Sequence, residues 1–74
     1  MAKIPVISGK LAIKALEKIG YCVVRKKGSH FRLLHKDKWP ITVPDHKTLG
    51  KGLLKKILRD SDIRVDEFIK LLKR

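Results

Sequence analysis

The chain has a single cysteine, Cys22, so no disulfide can form within it. A chain of 74 residues that folds in an oxidising compartment ordinarily carries several such bridges, so the expected setting is the reducing cytoplasm. Long apolar runs are missing too, which leaves no candidate for a membrane span and no secretory leader at the N-terminus. Acidic residues are scarce, and Asp37, Asp45, Asp60 and Asp62 form no recognisable cluster for a two-metal centre. The histidines at 30, 35 and 46 have no thiolate partners at structural-zinc spacing. Neither a metal nor a cofactor is therefore expected. The short length leaves room for one domain, 1–74, with one modest core and no deep substrate cavity.

Positive charge is what the chain has in excess. Lys and Arg number 19 against 7 Asp and Glu, a formal net charge of +12, and the surplus recurs along the whole sequence. Such a field attracts phosphate backbones and displaces their counterions, so a polyanion partner is expected.

Apolar periodicity predicts the elements. Ser8 or Gly9 is expected to cap a helix in which Leu11, Ala12, Ala15, Leu16 and Ile19 follow helical spacing, and Gly20 supplies a stop. Tyr21 to Arg25 and Phe31 to His35 form two extended runs about a Lys27-Gly28 turn, a β-hairpin. Trp39 to Val43 makes a third strand, with Pro40 near its start and Pro44 at its end. Leu49, Leu53, Leu54, Ile57 and Leu58 lie on one face of a second helix, and Asp60-Ser61-Asp62 ends it. A last amphipathic helix begins at Val65, with Asp66 and Glu67 in its first turn and Lys73-Arg74 in its last. The fold class is α+β: a three-stranded antiparallel sheet with helices on one face, in the order αβββα plus a C-terminal helix.

The candidate chemistry centres on Gly28-Ser29-His30. Strand alternation puts Phe31 and Leu33 on one face of the sheet and His30 and Arg32 on the other, so burial of Phe31 exposes His30. Imidazole titrates near neutral pH and can take or give a proton. RNA carries its own nucleophile, the 2′-OH, and its cleavage needs only a base, stabilisation of the phosphorane charge and protonation of the leaving oxygen. His30 fits the base, while Lys27, Arg32 or a backbone N–H at Gly28-Ser29 fits the phosphoryl oxygens. The proton donor is unassigned. Taken alone, the tripeptide fits a surface histidine that does no chemistry better than a catalytic one. His35, at a strand end, is expected to be exposed, and His46 to contact phosphate or lead into the second helix. Lys47, Lys51 and Lys55 recur every four residues and are expected along one face at the start of that helix, tracking an RNA backbone.

The chain resembles the HicA toxin family. The likeness runs through Ser8-Gly9-Lys10, Gly20-Tyr21, Arg25, Lys27-Gly28-Ser29-His30, Thr42-Val43-Pro44 with His46, then Gly52-Leu53-Leu54 and Ile57-Leu58. This resemblance implies a fold like that of double-stranded-RNA-binding domains. It also implies a metal-independent endoribonuclease that cleaves messenger RNA through the histidine at position 30, and a cognate HicB antitoxin that covers the active face. Two departures stand out: Asp45, where the family often has a basic residue, and the helix from Val65 to Arg74 beyond the minimal core. The combined expectation places His30 as catalytic base, with Lys26, Lys27, Gly28, Ser29, Arg32, Lys47, Lys51 and Lys55 on RNA. A noncatalytic double-stranded-RNA-binding module is the alternative.

Overall fold

The computed structural model describes residues 3–73; Arg74, expected in the last helical turn, lies outside them. The element order is α1 (Gly9–Glu17), β1 (Cys22–Lys27), β2 (His30–Leu34), β3 (Ile41–Pro44), α2 (Lys51–Asp60) and α3 (Val65–Leu72). The strands make one antiparallel sheet in the order β1-β2-β3, the α+β arrangement expected from the sequence.

Local chemistry explains the boundaries. The Ser8 hydroxyl accepts the Leu11 N–H at 3.2 Å and caps α1. Gly28, at φ 59°, takes the left-handed position in the two-residue turn between β1 and β2. Proline at 40 has no N–H to give a ladder, and β3 begins after it at Ile41. Trp39, expected inside that strand, is instead 76% exposed.

Two other expectations are corrected. His35 is half-buried, not exposed: its Nδ1 accepts N–H groups from Asp37 and Lys38 at 2.9 and 3.2 Å. The ring proton therefore sits on Nε2, which donates to the Ile19 carbonyl 2.8 Å away. The second correction concerns α2, which starts only at Lys51. Leu49 is drawn into the core, its N–H donating to Ile7 O at 2.8 Å, and Gly50 is extended, so Lys47 lies in a loop.

The core sits between the inner sheet face and the helices. Leu33 and Val43 are fully buried and Ile41 nearly so, packed with Ala12 and Leu16 of α1, Leu54 and Ile57 of α2 and Phe68 of α3. Tyr21 closes one end. Its ring meets His35 edge-on at 4.9 Å, its hydroxyl donates to Trp39 O at 2.9 Å, and burial, then the Asp60 charge, raises its pKa.

Candidate nucleic-acid interface

The register of the sheet sets which side chains share its outer face. Lys27 pairs with His30, Arg25 with Arg32, and Arg32 with Thr42 on the other side. Cross-strand partners point the same way, and alternation keeps inward Leu33 and Phe31 apart from outward His30 and Arg32. The result is a concavity of about 240 Å³ lined by Arg25, Lys27, His30, Arg32 and Thr42. No carboxylate lines it. Arg32 is held there by donating from Nη1 to the Thr42 hydroxyl at 3.1 Å.

His30 occupies the first position of the central strand, flanked by Lys27 on β1 and Pro44 on β3. Its side chain is exposed, next to a turn whose N–H groups belong to Gly28 and Ser29. An imidazole among three cations and a hydroxyl can bind a phosphodiester and exchange a proton with it.

The expected RNA contacts separate into groups. Lys27 and Arg32 line the concavity, and Gly28 and Ser29 lie exposed in the adjoining hairpin turn, outside its lining. Lys26 is on the other face of the sheet, paired with Phe31, and its ammonium meets Asp45 Oδ2 at 3.1 Å. Lys51 and Lys55 are exposed one turn apart on α2, with Lys47 in the loop before them. Arg25 and Thr42 were missing from the expected contacts, though alternation counted back from Lys27 points to Arg25. Lys56 also reaches this region, sharing a smaller concavity of about 170 Å³ with Arg32, Thr42 and Asp60. A larger hollow of about 330 Å³, lined by Ile19, Lys38, Asp62, Glu67 and Leu71 among others, contains no histidine and mixes both charges.

Among the described residues, no His, Cys, Asp and Glu side chains gather to hold a metal ion, and no helix is long and apolar enough to cross a membrane.

Helices backing a three-stranded sheet, with a histidine among arginines and a lysine on the outer face, define a small basic α+β protein whose exposed sheet surface suits an anion. Residues 9–63 of this chain match the model of the family described as HicA toxin of bacterial toxin-antitoxin systems. The chain belongs to that family and is a toxin of such a system. A search of curated proteins found no match. The matched segment contains the whole sheet, α1 and α2, and stops just before α3.

Proposed function

We propose that this toxin is a metal-independent endoribonuclease that cleaves messenger RNA, with His30 as general base. The observation that carries the reading is the exposed imidazole among Arg25, Lys27 and Arg32 on the outer sheet face. His30 takes the 2′-OH proton, the 2′-oxygen bonds to phosphorus, and the bond to the 5′-oxygen breaks as that oxygen gains a proton. The products are a 2′,3′-cyclic phosphate and a 5′-hydroxyl. Arg25, Lys27 and Arg32 stabilise the negative charge that builds on the phosphoryl oxygens. Ser29 donates a hydrogen bond from the adjoining turn, and Lys47, Lys51 and Lys55 hold the flanking backbone. Because the nucleophile belongs to RNA, no metal has to generate one. Messenger RNA as substrate sets the cytoplasm as the place of action.

The partner is a HicB-like antitoxin that covers the same face. An acidic surface there excludes RNA and neutralises the cations together.

Purified protein is expected to cut single-stranded messenger RNA in EDTA, and a 2′-deoxy nucleotide at the scissile position to block the cut. His30→Ala is expected to lose cutting at least a hundredfold, on the order of what general-base removal costs, while keeping most RNA affinity. Unchanged cutting by that variant overturns the role of His30. Duplex-RNA binding without cleavage by the wild type favours the noncatalytic module instead.

A further inference from the structure

Beneath His30, on the inner side of the sheet, two side chains from opposite edges meet. Lys26 belongs to β1 and Asp45 follows β3, yet Nζ and Oδ2 are 3.1 Å apart. The lysine crosses the central strand to get there, its ammonium lying 4.9 Å from the centroid of the Phe31 ring. Phe31 is the residue after His30. Asp45 also grips the residue before it, its backbone N–H donating to Ser29 O at 2.6 Å. The Asp45 side chain is 24% exposed and that of Lys26 47%, so one end of the pair is partly sheltered while the ammonium end stays open to solvent screening.

We propose that Lys26 and Asp45 form a strap across the back of the sheet that holds the Ser29-His30 segment in register, making both of them positioning residues for His30. The proposal rests on the ribonuclease reading. It assigns Lys26 to the strap and not to phosphate, and it gives the acidic residue at 45 a specific partner. His30 starts its strand directly after a two-residue turn, and on the β3 side the Pro44 pairing, the Asp45 N–H bond to Ser29 O and the Lys26–Asp45 contact hold it. Loss of the strap lets the turn and the imidazole wander, and small misplacements of a base lower the rate strongly.

The two assignments for Lys26 separate in single-turnover cleavage of one single-stranded RNA oligonucleotide at saturating protein, with affinity measured across a salt series. Lys26→Met keeps an apolar stem over Phe31 and removes the ammonium; Asp45→Asn keeps the shape and removes the charge. Each is expected to slow saturated cleavage roughly three- to tenfold. The double variant is expected to be no slower than the slower single one, as for two ends of one strap. For Lys26→Met the dissociation constant is expected to change less than twofold, with the same salt slope. Weaker binding with a salt slope flatter by about 0.7 and an unchanged saturated rate makes Lys26 a phosphate ligand and overturns the proposal. Independent, additive losses from the two single variants also overturn it.

Amide hydrogen exchange reads the strap without any cleavage. The Asp45 N–H is expected to exchange several-fold faster in Lys26→Met, and equal exchange in the two proteins rules the strap out. A wild type that cuts no RNA overturns the ribonuclease reading, while the exchange result still decides the strap.

Discussion

At the scale of the residue, Gly9 is where sequence and structure set two effects against each other. It opens α1, where alanine has the higher helix propensity by about 1 kcal/mol. A Cβ at this position, however, runs straight into the Pro44 carbonyl oxygen. That atom is backbone, it belongs to the residue paired with His30, and it cannot swing aside as a side-chain tip does. The Gly9 N–H also donates to His46 O at 2.9 Å, which keeps the two segments in close contact. Overpacking of this kind costs about 1–3 kcal/mol, more than propensity returns. Gly9→Ala is therefore expected to lower stability by about 1–2 kcal/mol, read as a lower urea midpoint at constant slope. A midpoint at or above wild type shows that β3 yields and propensity wins. The glycine of Ser8-Gly9-Lys10, read from the sequence as a possible cap, is on this account a point of close approach between α1 and the strand beside His30.

The elements differ in how openly the sequence announced them. α1 was plain, because its apolar period and Ser8 agree, and the hydroxyl makes the expected cap. β1 was not. All six of its residues are exposed, so the burial contrast that reveals alternation is absent, and its register slips between Val23 and Arg25. That slip leaves Val24 unpaired and lets inward Val23 and outward Arg25 coexist on one strand. The same alternation that faced His30 away from Phe31 also separates Lys26 from Lys27, a distinction visible in sequence once the turn is placed. Lys47 is a different case. Its spacing from Lys51 is helical, but Leu49 is committed to the core and Gly50 is extended, so tertiary packing overrides the period.

α3 gives the prediction at this scale. It spans eight residues, has no side-chain cap hydrogen bond, and lies beyond the segment that carries the family match. A helix this short does not persist by itself. Asp66 and Glu67 suit its first turn, and Arg64 Nε reaches Glu67 Oε1 at 3.2 Å, but these groups are exposed and contribute little. Phe68 is fully buried and joins α3 to the common core. Phe68→Ala is expected to cost about 3–5 kcal/mol, and Glu67→Gln under about 0.5 kcal/mol. For a domain of this size the first is a large share of total stability. Thermal melts of the two variants check the contrast; similar small shifts from both show α3 to be an appendage and not part of the core.

For the whole molecule, the net charge of +12 bears on binding and not on which fold the chain adopts. Cations on the outer sheet face continue toward α2, since Arg32 and Thr42 share a concavity with Lys56, and Lys51 and Lys55 stand exposed on the same helix. If RNA runs from the histidine along this route, affinity is set by counterion release over several phosphates and falls steeply with salt. Each contact to a single strand contributes about 0.7 to the slope of log affinity against log salt. Replacing Lys51 and Lys55 together with glutamine is expected to flatten that slope by about 1.4 and to weaken binding across RNA sequences alike, because phosphates carry no sequence information. Cleavage at saturating protein is expected to fall far less than affinity, since these lysines do not line the histidine's concavity. A slope identical to wild type makes the two lysines a solvated helix face and confines RNA to the sheet. A slope flattened by about 0.7 leaves only one of them on the backbone, and the separate single variants then identify which.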